Sequence, residues 1–108
     1  MRKGILEFCI LSIIKRMGDA YASDIIEELK NTEMIVVEGT LYPLLTRLKN
    51  DGLLNYRWEE STSGPPRKYF TLTEEGTVFL DELKKSWVNL KNAVNQLTKE
   101  NNEQWTRQ

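Results

Sequence analysis

A mainly α chain with one small β-hairpin is predicted by three patterns in this sequence. Leu41, Leu44, Leu45 and Leu48 fall at i, i+3, i+4 and i+7, an apolar stripe of helical period. After Gly52 the period drops to two, as Leu54, Tyr56 and Trp58 alternate with Asn55 and Arg57. Beyond Thr73, the residues Leu80, Leu83, Trp87, Leu90, Val94 and Leu97 are spaced by alternating threes and fours, a heptad seam.

The whole-chain composition bounds what these elements can do. At 108 residues the chain is one small domain with a modest core, and a partner subunit is a natural source of further burial. There are no histidines and one cysteine, which removes most routes to general-base, zinc or Ser-His chemistry and any internal disulfide. No cofactor and no metal site is expected. Residues 1–73 hold ten Lys/Arg and ten Asp/Glu, and the whole chain carries a net charge of −1. Any affinity for nucleic acid must therefore come from cations gathered on one face.

The first helix is expected at about residues 4–17. Ile5 to Ile14 is apolar except at Glu7 and Ser12, and ten residues are too few to span a bilayer, which takes about 20. Arg2-Lys3 before the run and Ala20-Tyr21-Ala22 after it have the outline of an export signal. Against that, Glu7 interrupts the run, and Lys15-Arg16 and Asp19 separate it from any cleavage site. The run reads as a helix buried on more than one side, between the chain's own core and a second subunit. Cys9 within it reads as a small core residue rather than a redox sensor or nucleophile.

A second helix, about 21–31, turns Ile25, Ile26 and Leu29 inward and starts with Ser23-Asp24 against its positive dipole end. The third, about 38–51, is stopped by Gly52. Opposite its leucines lie Gly39, Pro43, Thr46, Arg47 and Asn50, with Thr40 and Tyr42 at the margins. That face is polar and short-chained, suited to a nucleic-acid groove, and the two helices read as helix-turn-helix. Pro43 is placed in the opening turns, where a lost backbone donor costs least. Arg47 reads as a guanine reader, with a phosphate clamp or a plain surface cation as the alternatives. Thr40, Tyr42 and Thr46 read as phosphate anchors, Tyr42 alternatively as a core-edge aromatic.

Strands at about 53–59 and 67–72 flank the turn-rich stretch from Ser61 to Pro66. Arg67 and Lys68 open the return strand. Alone they would read as a solvated strand end; beside a recognition helix they read as contacts from a wing to backbone phosphates or a minor groove. The last helix, about 73–100, is capped by Thr73 with Glu74 and Glu75 behind it. From 73 to 99 it would be about 40 Å long at ~1.5 Å per residue. A body of this size cannot cover that seam, so Leu80, Leu83, Trp87, Leu90, Val94 and Leu97 are assigned to dimerisation. Residues 101–108 form a polar tail in which Trp105 has no assigned role.

Together, Glu38-Gly39-Thr40-Leu41-Tyr42-Pro43-Leu44-Leu45, Arg47-Leu48, Gly52-Leu53 and Gly64-Pro65-Pro66-Arg67-Lys68-Tyr69-Phe70-Thr71-Leu72-Thr73 with Gly76 resemble the PadR family of bacterial transcriptional regulators. The resemblance covers about residues 4–98 and is to the compact branch with a single C-terminal helix. It implies a cytoplasmic winged helix-turn-helix homodimer that represses transcription at an inverted-repeat operator and leaves DNA when a small molecule binds. It implies DNA contacts from Thr40, Tyr42 and Pro43, from Tyr21 at the start of the second helix, and from Lys68 in the wing. Trp87 is similar to a tryptophan that holds planar aromatic effectors in some members, although its residue type alone favours packing. The competing expectation is a winged-helix protein-interaction module that does not bind DNA. An enzyme ranks last, because the residues offer no catalytic constellation.

Overall fold

α1 (Arg2–Met17) is the element on which the rest packs: Ile10, Leu11, Ile13 and Ile14 are buried, and Gly18 at φ +83° ends the helix by donating to the Ile14 carbonyl. The computed structural model describes residues 2–99 apart from 33, 35, 62 and 63. The expected tail from 101 to 108, with Trp105, and the Thr62-Ser63 tip lie outside the described residues. Cys9 is half-buried, its Sγ 3.9 Å from Met34 Sδ, and burial pushes the thiol up, which keeps it a protonated packing residue.

β1 (Ala20–Tyr21) follows, a third strand that the hairpin reading lacks. α2 (Ala22–Asn31) begins on Tyr21, whose N–H donates to Asp24 Oδ2 at 3.0 Å, and buries Ala22, Ile25 and Leu29. α3 (Glu38–Asn50) buries Leu41, Leu45 and Leu48. It closes in a Schellman arrangement: Leu53 N–H donates to the Leu48 carbonyl, Gly52 N–H to the Lys49 carbonyl, and Gly52 takes φ +82°. Because the helix starts at Glu38, Pro43 is its sixth residue, past the four positions without helical partners. The proline therefore deletes an internal bond and leaves the Gly39 carbonyl without its helical donor.

β2 (Leu54–Ser61) and β3 (Gly64–Leu72) form the long hairpin, and the antiparallel sheet has the order β1-β3-β2. Both strands run nearer the tip than the turn residues suggest, so Pro65 and Pro66 lie in β3. They are tolerated because β1 covers only Tyr69 and Phe70 there, leaving the proline edge of β3 without a second partner.

α4 (Glu74–Leu97) starts on Thr73, which joins three elements. Its Oγ1 accepts from Gly76 N–H at 2.9 Å and donates to the Gly52 carbonyl at 2.6 Å, while its own N–H donates to Leu53 O at 3.1 Å. Gly76 is buried there, and a Cβ on it would stand 2.1 Å from Leu53 O. Gly76→Ala is expected to cost ~2–3 kcal/mol, a fall in Tm of roughly 10–20 °C at fixed protein concentration by circular dichroism.

The seam of α4 is covered unevenly. Leu80 is 1% exposed, so the assignment of this position to a partner is corrected: it belongs to the chain's own buried core. Leu83 is partly buried, but Trp87, Val94 and Leu97 stand out, Leu97 at 85% exposure. The chain is accordingly long, 57 × 29 × 21 Å with a radius of gyration of 17.1 Å, against ~13 Å for a compact domain of this size.

Candidate nucleic-acid interface

The buried leucines of α3 leave its other sides open in a definite order. Gly39, Tyr42, Thr46 and Asn50 are exposed along the outward ridge. Lys49 is on the flank toward the sheet, its Nζ 5.5 Å from the Tyr56 ring. Thr40, Pro43 and Arg47 are on the flank toward α1, where they line a recess with Leu6 and Leu44. Arg47 departs from the expectation of a free base-reading cation, because its guanidinium is ion-paired with Glu7 of α1.

The wing supplies the facing wall. In the β2–β3 register Tyr56 pairs with Phe70 and Trp58 with Lys68, which puts these four on one side of the hairpin. Phe70 is buried at the root, while Tyr56 and Trp58 are exposed farther out and meet edge to face at 6.4 Å. Lys68 Nζ lies 4.4 Å from the Tyr56 ring and 5.2 Å from that of Trp58. Such cation–π seats are worth about 0.5–1 kcal/mol each at exposed sites and hold a flexible ammonium in one place. Between this wall, the start of α2 and Tyr42 of α3 lies an open cleft of about 360 Å³ with Tyr21, Ser23, Arg67 and Lys68 on its rim.

The other side of the sheet carries a stacked column. Tyr21 and Tyr69 lie ring on ring at 3.8 Å, Arg67 is 5.2 Å from Tyr21, and Arg57 is 4.7 Å from Tyr69. Arg57 is held by Asp19 at 2.6 Å and Glu59 at 2.7 Å. The hydrogen bond to Tyr21, helped by desolvation, keeps the proton on Tyr69 and pushes its phenol up from 10.0 to about 12. A raised pKa means that the folded state favours the neutral phenol. The contribution is fully present below pH 10 and fades as pH rises through about 12. Phenolate absorbance is expected to show a tyrosine ionising near 12, and Tyr21→Phe to bring it down toward 10.0.

These contacts decide which cations of a near-neutral chain remain free to meet an anion. Arg16, Arg47 and Arg57 are bound by carboxylates, whereas Lys49, Arg67 and Lys68 have no carboxylate partner among the described residues; Arg67 and Lys68 line the cleft, and Lys49 lies over Tyr56 of the wing. The residues assigned to DNA contact thus fall in two groups. Tyr21, Tyr42, Arg67 and Lys68 line the cleft and Thr46 and Asn50 face outward above it, while Thr40, Pro43 and Arg47 lie on the α1 flank. Lys49, Tyr56 and Trp58 were not among those candidates; the alternation of Tyr56 and Trp58 was the available signal.

A second, apolar groove separates α1 from α4. Gly4, Ile5 and Phe8 face Leu83, Trp87 and Leu90 across a space of about 160 Å³, and Trp87 remains 42% exposed. Among the described residues no helix is long and apolar enough to cross a membrane, and no group of His, Cys, Asp and Glu could hold a metal ion.

Comparison with known proteins places this geometry. Residues 10–82 match the sequence profile of the Transcriptional regulator PadR-like family. The crystal structure of a PadR-like transcription factor from Bacteroides fragilis is 61% identical and superposes with a TM-score of 0.81, over 90% of this chain and 93% of that one. A PadR-like transcriptional regulator of Bacillus cereus is 38% identical, with a TM-score of 0.77, over 90% and 94% of the two chains. Bacillus subtilis PadR, solved in complex with operator DNA, is 25% identical with a TM-score of 0.66, over 72% of this chain and 44% of that one.

Proposed function

Because this chain belongs to the Transcriptional regulator PadR-like family, we propose that it works as a homodimeric repressor which grips an inverted-repeat operator with α3 and the wing. Like the family's other members it is a DNA-binding transcription regulator and not an enzyme. The observation that carries the reading is the pairing of α3's exposed ridge with a wing wall bearing Lys68 and Arg67. Tyr42, Thr46 and Asn50 meet base edges and phosphates in the major groove, while Lys49, Arg67 and Lys68 neutralise backbone charge beside it. The operator complex of Bacillus subtilis PadR supports DNA as the partner.

The dimer is supported by the apolar length of α4 that its own chain leaves uncovered, with Ile5 and Phe8 of α1 beside it. Two copies joined there present two α3 helices to successive grooves, as a palindromic site requires. A planar aromatic effector, stacked on Trp87 in the α1–α4 groove, releases the DNA in the same reading, and the site of action is the cytoplasm. Band shifts with DNA upstream of the protein's own gene, at two salt concentrations, test the proposal. Binding should fall steeply with added salt, with a log–log slope of several units. Salt-independent capture of a protein partner, with no shift of DNA, would favour the interaction-module reading instead.

A further inference from the structure

We propose that Glu7 and Arg47 are a positioning pair: a strut that fixes the angle of α3 against α1, and so sets operator specificity without touching DNA. The inference rests on the reading of α3 as the DNA-reading helix. It starts from a gap. Where α3 passes α1, Leu6, Thr40, Pro43, Leu44 and Arg47 line a recess of about 350 Å³, so close packing does not lock the two helices along this flank. Arg47, one of the lining residues, is joined to Glu7 of α1, forty residues away in sequence. The Glu7 side chain is only 15% exposed and that of Arg47 46%, so the carboxylate is the anchored end and the guanidinium the tethered one.

The paired charges also make a poor phosphate clamp. An arginine neutralised by an adjacent carboxylate adds little net positive charge to release counterions from DNA. By contrast Lys49, Arg67 and Lys68, across α3, carry charge that no carboxylate offsets among the described residues. The α1 side of α3 is therefore the bracing side.

α1 gives the brace its reach. Gly4, Ile5 and Phe8 face Trp87 and Leu90 of α4, while Leu6 and Glu7 face α3. One turn of α1 thus touches both the surface assigned to the second copy and the recognition helix. Base contacts depend on placing α3 to within a fraction of an ångström, whereas phosphate attraction tolerates small rotations. Loosening the strut should cost discrimination more than general affinity.

The test is a cycle of Glu7→Gln, Arg47→Gln and both together, on the full chain. Affinity is measured for a duplex that the wild type enriches from a random pool and for a random duplex, over a range of salt. Each single change should lower the ratio of the two affinities by roughly ten-fold, the double change by no more than either alone, with the salt slope kept. If Arg47→Gln lowers the slope by about 1 while Glu7→Gln does not, Arg47 holds a phosphate and the strut is overturned. It is equally overturned if all four proteins discriminate alike, or if the two effects add. A wild type that enriches no duplex removes the DNA reading itself; a flat cycle on an enriched duplex removes only the strut.

Discussion

Trp87→Glu is expected to separate the two copies and weaken operator binding by more than about a hundred-fold. Trp87 stands 42% exposed in the groove between α1 and α4, with Ile5, Phe8, Leu83 and Leu90 around it. A carboxylate there would be carried into a groove lined mainly by apolar side chains, a penalty of several kcal/mol for each charge removed from water. Each separated chain would then meet its half-site alone, without the effective concentration that a linked second reading head supplies, commonly 10²–10⁴. Val78→Glu is the matched control. Val78 is also exposed on α4 but lies off the seam, and its replacement should leave mass and affinity unchanged.

Reversal of the wing cation is the second large effect. Lys68→Glu should lower operator affinity about a hundred-fold and Lys68→Ala about ten-fold, both reducing the salt slope by about 1. Lys68 is held between Tyr56 and Trp58, so little ordering remains to be done when a phosphate arrives. Arg57→Ala should matter far less, because Asp19 and Glu59 already bind that guanidinium. Band shifts across a salt series read all three. Equal losses from Lys68→Ala and Arg57→Ala would mean that the wing acts through overall charge.

Much of the architecture was legible because burial leaves a period. Leu41, Leu45 and Leu48 announce the inner face of α3, and Gly52 its end, since each records a local rule of helix geometry. β1 was not legible, because two residues are too few to show alternation and Ala20–Tyr21 is a strand only through β3. The heptad seam appeared uniform in sequence, yet Leu80 is covered by its own chain while Leu97 is 85% exposed. The difference depends on where α4 leaves the body, which no local pattern encodes. Gly76 was visible as part of a motif, but its reason, a helix start pressed on the Leu53 carbonyl, is a tertiary contact.

The candidate interface divides the same way. Thr46 and Asn50 follow from helical angle alone, whereas Tyr42, at the margin of that face by angle, stands on the exposed ridge. Lys49 needed the twist of the hairpin to bring Tyr56 beneath it, and the pairing of Arg47 with Glu7 needed α1 and α3 to be laid side by side. Arg47 looked like the natural base reader because its partner lies forty residues upstream, beyond any spacing rule.

In the proposed dimer, two chains joined through α1 and α4 hold two copies of α3 at a fixed separation. Sedimentation equilibrium of the wild-type chain at micromolar concentration tests it most directly. A single species of twice the 12.6 kDa chain mass is expected; a species of 12.6 kDa would rule the dimer out.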